Sequence, residues 1–540
     1  MDGRGAGQKI GFIGLCTTNL SRNRNMYSGE KVIIIDFGGQ YTHLIARRCR
    51  ELGVYSEIVS NEIKAIDIQS LENVKAIIFS GGPKSVYQDD APSIDLDLLQ
   101  LNIPLLGICY GHQLIAKLMG GEVKRSEKAE YGRVLIRIKA RSKLFQDLPE
   151  SFRVWMSHGD IIEKPPPGFT ITSETHNGFI ASIENDQQKI YSIQFHPEVK
   201  HTENGLLILK NFLRNIAGFK DVWKPMNRIE EMMKEINSIV GPEDKVICGV
   251  SGGIDSITTA TILNKAIGNR LHVVFIDHGL LRKGEVEEVL NTLKNLNIQN
   301  VHFIDASNLF LSKLKGVHDP EQKRKIIGEI FIRLFEDVAR KISGVKFLAQ
   351  GTIYPDRVES GATGRGTDLI KSHHNVAGLP SGLKLVLIEP LRDLYKDEVR
   401  EVAVQLGVPA SIVERHPFPG PGLAVRIIGE VTPEKLRICR DANAILEEEI
   451  RKANLYDKVW QAFVVVTDSK WIGVKGDARK EGYIVVIRMV TSEDAMTADW
   501  YPLNPDLLDL ISRRITNEID EVVMVTYAVT SKPPATIEPC

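Results

Sequence analysis

Lys31-Val32-Ile33-Ile34-Ile35-Asp36-Phe37-Gly38-Gly39-Gln40 begins as a β-branched run and ends on a glycine pair. The order decides the fold. An apolar run this short and without alternation reads as a strand buried on both faces of a parallel sheet. A helical segment follows to about Leu52. Val74–Ser80 and Ile103–Cys109 repeat the pattern, each followed by a glycine-containing turn. Repeated strand–turn–helix units predict a doubly wound α/β domain with ligands at the carboxyl ends of its strands. Antiparallel strands are expected at Arg133–Lys139 and Ile190–Phe195, and a closing helix at Leu206–Ala217.

Gly218–Pro225 reads as a linker into a second α/β unit. That unit is expected to run through helix Met226–Ile239, strand Lys245–Val250, a helix from Ser256, strand Leu271–Asp277, helix Glu285–Leu296 and strand Val301–Asp305. The Pro- and Gly-rich His416–Gly422 marks a break. Beyond it, helices Pro433–Ala453 and Pro505–Ile519 mix with strands Ala462–Val466, Tyr483–Met489 and Glu521–Tyr527. There is no internal repeat.

At 540 residues the chain exceeds one core, and about three domains are expected. Lys+Arg (68) balances Asp+Glu (69), so no global basic field points to nucleic acid or a membrane surface. Any anionic ligand must be held by local devices. Cys16, Cys49, Cys109, Cys248, Cys439 and Cys540 include no Cys-x-x-Cys pair, which argues for a reducing, cytosolic compartment rather than a disulfide framework or zinc site. No apolar run approaches the ~20 residues of a membrane span. Met1–Ser28 reads as a flexible extension.

Gly107-Ile108-Cys109-Tyr110-Gly111-His112-Gln113 places glycines two residues either side of a cysteine, between a strand and a helix. This is the spacing of a nucleophile elbow, in which a sharp turn leaves no room for side chains at those two positions. The turn sets the sulfur at a helix N-terminus, where free N–H groups favour thiolate. A thiolate that attacks an amide needs a base to orient it and to protonate the leaving amine. Gln194-Phe195-His196-Pro197-Glu198 supplies His196, with Glu198 to hold its tautomer. The backbone N–H groups of Gly82 and Tyr110 are the expected oxyanion donors. A lone cysteine after a strand is usually only buried, and a lone His-Pro-Glu is usually a turn; together, in this order, they read as a site.

Ser251-Gly252-Gly253-Ile254-Asp255-Ser256 leads from a buried strand into a helix. Two glycines let backbone N–H groups turn toward an anion, and the helix N-terminus adds its dipole. The Walker lysine is absent. Asp255 beside phosphates makes sense as a ligand of Mg²⁺. Taken alone, the loop is equally a tight βα turn.

With those residues stated, the chain resembles known families. Gly107–Gln113 with Phe195–Glu198 is similar to class I, triad-type glutamine amidotransferases. The resemblance implies glutamine hydrolysis through a thioester, with Gln113, Ser157, His158, Gly159 and Asp160 contacting glutamine. Ser251–Ser256 resembles the signature loop of the ATP pyrophosphatases, which implies ATP held by Ser251, Gly252, Gly253, Ile254, Asp255, Ser256 and Ile257.

Ile276–Arg282, Gly351–Asp356, Ile370–Val376, Arg415–Leu423 and Ser531–Glu538 extend the likeness to the GMP synthetase family, over about Lys31 to Glu538. Three modules are implied: an α/β amidotransferase over 30–218, a doubly wound ATP pyrophosphatase over 219–424, and a small α+β dimerisation domain over 425–540, after an extension over 1–29. Implied substrates are glutamine, ATP and xanthosine monophosphate (XMP), the last held by Arg282, Gln461, Lys532, Ile537 and Glu538. A homodimer is also implied. Glu359–Pro380 is expected to be a lid, and its His373-His374 pair to make lid contacts rather than bind metal. The competing readings are another ATP-dependent amidotransferase and a non-catalytic glutamine or nucleotide sensor. A sensor predicts broken motifs, yet Cys109, His196, Glu198 and Asp255 are all present.

Overall fold

The computed structural model describes residues 27, 29–356, 385–492 and 497–539. Nearly all of the expected extension, with Cys16, lies outside these residues. So do Cys540, Ile370–Val376 and the expected lid with His373 and His374. The chain divides between Lys224 and Pro225 into two compact units.

The first unit is built on nine strands: β1 (Lys31–Asp36), β2 (Tyr55–Ser60), β3 (Val74–Phe79), β4 (Leu105–Ile108), β5 (Glu122–Ile138), β6 (Ser151–Lys164), β7 (Thr170–Thr175), β8 (Ile180–Asn185) and β9 (Ile190–Ile193). They form one sheet in the order β2-β1-β3-β4-β9-β8-β7-β5-β6. Val32, Ile33, Ile34 and Ile35 are all fully buried, so the β-branched run is a two-faced interior strand. The pairings from β2 to β9 are parallel, and the strand order reverses at β1. Ser80 ties the two ends at this reversal: its N–H donates to Ile35 O at 3.1 Å and its Oγ accepts from Phe37 N at 3.1 Å.

β9 departs from its expected antiparallel role. It runs parallel to β4 and antiparallel to β8, and so joins the two halves of the sheet. β5 is far longer than Arg133–Lys139, because it forms a ribbon with β6 that carries its own pairing beyond the sheet. The closing helix is α-helical over Gly205–Lys210 and then π-helical over Asn211–Ile216.

The second unit holds a fully parallel sheet of β10 (Lys245–Val250), β11 (Leu271–Asp277), β12 (Asn300–Asp305), β13 (Val345–Ala349) and β14 (Val386–Ile388). Its order, β12-β11-β10-β13-β14, is doubly wound. The reversal at β10 places the loop after Val250 where such sheets bind ligands. A second sheet comprises β15 (Gln461–Lys475), β16 (Ala478–Thr491), β17 (Asp499–Trp500) and β18 (Val522–Tyr527).

One core runs through both sheets. It joins Ile247, Val274 and Phe310 to Leu423, Leu436, Ile445, Val464 and Ile487. Helix Pro433–Lys452 contributes Leu436, Ile438, Ala442, Ile445 and Leu446, an apolar stripe at helical spacing. The short 3₁₀ turn Gly422–Arg426 is buried throughout, so the chain crosses from one sheet to the other inside this core.

Candidate functional sites

In the first unit, β4 ends at Ile108 and helix Tyr110–Leu118 starts two residues later. Cys109 is the corner, at φ 54° and ψ −102°. A non-glycine residue holds a positive φ only where its surroundings impose it. Here Cys109 N–H donates to Ile193 O at 2.9 Å, Gln113 N–H donates to Cys109 O at 3.2 Å, and Gly111 N–H donates to Ser80 O at 3.1 Å. The glycines are sterically required. A Cβ on Gly107 would lie 2.6 Å from Ile115 Cδ1, and one on Gly111 would lie 2.6 Å from Phe79 Cβ.

His196 stands three residues beyond β9. Its N–H donates to Trp155 O at 3.1 Å, and its carbonyl accepts from Thr202 Oγ1 at 2.6 Å. Nδ1 lies 2.7 Å from Glu198 Oε1, and the ring is hydrogen-bonded to Cys109. All three side chains are buried. Burial opposes the charged imidazolium, but the Glu198 carboxylate and the Cys109 sulfur outweigh it and hold His196 well above the ordinary histidine value. Arg48 Nε donates to Glu198 O at 3.0 Å, and Tyr41 meets the His196 ring edge-on at 5.0 Å.

Gly82 approaches Tyr110 so closely that a Cβ would lie 3.1 Å from Tyr110 Cγ. The N–H groups of Gly82 and Tyr110 donate to no acceptor among the described residues. Gly81, not singled out in sequence, keeps the space beside the sulfur open: a Cβ there would be 3.2 Å from His196 Cε1 and 3.7 Å from Cys109 Cβ.

Ser157 O lies 3.9 Å from Cys109 Sγ, so the Ser157–Asp160 stretch borders the sulfur. Gln113 Nε2 donates to Asp160 O at 3.0 Å and to Gln194 Oε1 at 3.1 Å. His158 is buried, with Nδ1 2.9 Å from Asp160 O and Nε2 3.4 Å from Glu130 Oε2. Tyr87 OH donates to Asp160 Oδ1 at 2.8 Å. Glu130, Tyr87 and Gln194 escaped sequence reasoning. Gln194 alone carried a signal, by its place in the His196 segment. His112 is fully buried against Ser192 Oγ at 2.8 Å; burial, then the neighbouring His158, push it down to about 3, so it is neutral.

In the second unit, Gly252 has φ +85° and a Cβ there would lie 2.7 Å from Val289 Cγ2. Gly253 caps helix Ile254–Ile267, whose Ile254 and Ile257 are buried beneath the loop. Ser256 Oγ donates to Gly253 O at 2.9 Å and accepts from Ser251 N at 3.2 Å, closing the loop on itself. Asp255 Oδ2 pairs with Lys396 Nζ at 2.5 Å, while Oδ1 is buried without a hydrogen-bond partner. Among the described residues no group of three or more His, Cys, Asp or Glu side chains is placed to hold a metal ion. A divalent cation at Asp255 would therefore take most of its oxygens from substrate and water, the habit of Mg²⁺, and the orphaned Oδ1 fits such an ion.

Arg282 and Gln461 converge on the loop His416–Phe418, and Glu538 joins them through Gln461. Arg282 lies over the Phe418 ring at 4.2 Å and donates to His416 O at 2.9 Å; burial lowers it to about 10. Gln461 Nε2 donates to Pro417 O at 3.0 Å and to Glu538 Oε1 at 2.7 Å. Arg426, missed in sequence, clamps Glu538 through Nη2 at 2.8 Å and Nε at 3.2 Å. Lys532 and Ile537 belong to the same tail. Lys532 pairs backbone-to-backbone with Ala498, at 2.7 and 3.1 Å, and Thr536 O accepts from Arg488 at 3.2 Å. The tail is thus a fixed wall up to residue 539. Arg282, Arg415, Arg426 and Tyr456 line an adjoining cavity of about 470 Å³.

Sequence profiles place this architecture. Residues 33–216 match glutamine amidotransferase class-I, residues 226–325 match NAD synthase, and residues 448–539 match the GMP synthase C terminal domain. The chain is an amidotransferase coupled to a nucleotide-binding synthetase unit. It is 57% identical to GMP synthase [glutamine-hydrolyzing] of Pyrobaculum aerophilum over 511 residues, 95% of this chain and 100% of the relative. It is 52% identical to the protein of that name from Petrotoga mobilis, over 94% of this chain and 99% of the relative. The chain belongs to the glutamine-hydrolysing GMP synthases.

Two outcomes follow from the elbow and its base. Gly111→Ala forces a methyl into Phe79, and should destabilise the first unit by about 1–3 kcal/mol in chemical denaturation, with loss of glutamine turnover. Glu198→Gln removes the carboxylate that raises His196, so the NMR titration midpoint of that ring should fall. A raised folded value means the stability contributed by the His196–Glu198 pair is fully present below about pH 6.5 and is lost as pH rises through the folded value. The stability gap between wild type and Glu198→Gln should narrow accordingly above neutrality.

Proposed function

We propose that Cys109, His196 and Glu198 hydrolyse glutamine, and that the ammonia released is installed on XMP activated by ATP to give GMP, AMP, pyrophosphate and glutamate. The observation that supports this reading most is the cysteine held at a strained strand-to-helix corner, hydrogen-bonded to a buried histidine that is in turn 2.7 Å from a buried carboxylate. The Cys109 sulfur attacks the amide carbon. The oxyanion falls to the N–H groups of Gly82 and Tyr110. His196 protonates the departing nitrogen, ammonia leaves, and a thioester remains. His196 then takes a proton from water, which hydrolyses the thioester to glutamate and restores the thiol. Gln113 and Ser157–Asp160 form the wall on which glutamine rests.

In the second unit, Ser251, Gly252, Gly253, Ile254, Asp255, Ser256 and Ile257, a loop and the first turn of the helix it leads into, receive the phosphates of ATP. A carbonyl oxygen of XMP attacks the α-phosphate and pyrophosphate leaves. A purine carbonyl oxygen is a poor leaving group, and adenylation makes it a good one. Ammonia adds to the same carbon and AMP departs. Mg²⁺, held by Asp255, would neutralise the phosphate charge. Arg282, Gln461, Lys532, Ile537 and Glu538 surround XMP, with Lys532 as a point charge for its phosphate.

The functional modules run over 30–218, 219–424 and 425–540, the last two sharing one core. The protein acts in the cytosol as a homodimer. Among the described residues no helix is long and apolar enough to cross a membrane, and Cys49, Cys109, Cys248 and Cys439 are free. Trp471, Ile472 and Val474 expose an apolar stretch of β15, which supports pairing through the last module.

The decisive assay supplies ATP, Mg²⁺ and XMP with glutamine or with ammonium chloride and follows AMP and GMP. Cys109→Ala should reduce glutamine-dependent turnover by about 10³-fold or more and leave ammonia-dependent turnover intact. Asp255→Ala should remove AMP formation with either nitrogen source; near-normal turnover would reject its metal role. Light scattering should give the mass of two chains, and a monomer at assay concentration would exclude the dimer.

A further inference from the structure

β5 and β6 lose their regular pairing beside the sulfur. Arg125 pairs with Asp160 and Glu130 pairs with His158, so residues 126–129 of β5 stand opposite Gly159 alone. Across such a bulge the ladder leaves residues 126–129 of β5 and Gly159 of β6 without regular partners. Gly159 lies two residues beyond Ser157, whose carbonyl is 3.9 Å from Cys109 Sγ.

Side chains take over. Asp160 O is a carbonyl and only accepts. It receives Gln113 Nε2 at 3.0 Å and His158 Nδ1 at 2.9 Å, so Nδ1 carries a proton. The other ring nitrogen, Nε2, faces Glu130 Oε2 at 3.4 Å. Asn177 Nδ2 donates to Glu130 Oε1 at 2.9 Å. Both side chains of the His158–Glu130 pair are about 3% exposed, so the His158 ring has no face left for substrate. Burial raises Glu130, yet the His158 ring at 3.4 Å and the bond from Asn177 outweigh it and hold the carboxyl below its ordinary value. A buried carboxylate held ionised, away from the reacting atoms, fixes what it touches.

We propose that Glu130 is a positioning residue for the amide substrate: through His158 it sets the Ser157–Asp160 peptide that walls the cysteine. The proposal rests on Cys109 being the glutaminase nucleophile. It gives His158 an indirect role in place of the direct glutamine contact expected from sequence.

Glu130→Gln keeps the shape and removes the charge. It should raise KM for glutamine about tenfold, since a wall displaced by a fraction of an ångström misplaces the substrate. Ammonia-dependent turnover should be unchanged. So should the rate at which iodoacetamide alkylates Cys109 without glutamine, read against a Cys109→Ala blank. An unchanged KM overturns the proposal. So does alkylation that falls in step with glutamine turnover, which would make Glu130 a support of the elbow itself. Should Glu130→Gln fail to fold, Asn177→Ala at the surface removes one of the bonds to Glu130 and should raise the same KM by a smaller factor; no change overturns the proposal equally. Glutamine turnover surviving in Cys109→Ala would instead remove the nucleophile reading beneath it, a distinct result.

Discussion

The positive φ of Cys109 governs the first unit. A side chain at the end of a parallel strand normally stands off one face of the sheet. Turning the chain through a left-handed corner lifts the sulfur out and starts the next helix beneath it. The corner is costly for a residue with a Cβ, on the order of 1–3 kcal/mol. It persists because four surroundings agree on it: Ile193 O takes the Cys109 N–H, Ser80 O takes the Gly111 N–H, and Gly107 and Gly111, lacking a Cβ, let Ile115 and Phe79 pack against the corner. Ile193 ends β9 and Ser80 follows β3, and the sheet order β3-β4-β9 is what brings them to Cys109. The sheet is thus the means by which the strain is held, and His196, just beyond β9, arrives at the sulfur by the same topology.

The second unit uses the same element, a parallel strand running into a helix, for the opposite purpose. The positive φ falls on Gly252, two residues after β10, where it strains nothing. The turn then offers backbone N–H groups instead of a side chain. Val289, packed behind Gly252, forbids any larger residue there. Ser251 and Ser256 hold the loop shut, so its donors need little reorganisation to meet an anion. One construction exposes a side chain where the left-handed residue has one, and a run of backbone N–H groups where it has none.

Much of this was legible in the chain. The β-branched runs at Lys31–Asp36 and Lys245–Val250 declared parallel strands, because only a strand covered on both faces is apolar without alternation. The elbow was legible through Gly107 and Gly111, since glycine at fixed spacing has a steric reason. Glu130, Arg426 and Gly81 were not. A charged residue within a strand reads as a solvent-facing position, yet Glu130 falls on the same face of β5 as the buried Val134 and Ile136. Arg426 looks like the basic end of a turn, and its partner Glu538 lies 112 residues away in sequence. Partners so remote leave no local pattern. The dual pairing of β9 was missed for the same reason: strand direction is set by the neighbours, which periodicity does not report.

The polar groups that sequence missed share a logic. Two of them are partnered across elements: Glu130 of β5 with His158 of β6, and Arg426 of the buried turn with the part-buried Glu538 of the tail. A buried pair adds little net stability once desolvation is counted, but losing one partner leaves an uncompensated charge. Such pairs therefore fix geometry more than they hold the fold. Arg426 shows it best. Stacked near Phe418 and Phe463, it holds both oxygens of Glu538, and Gln461 takes a share of one. A carboxylate has about four acceptor positions, and three are committed. Glu538 is left with directional capacity for a single further donor, so it is a directional acceptor rather than a general negative charge.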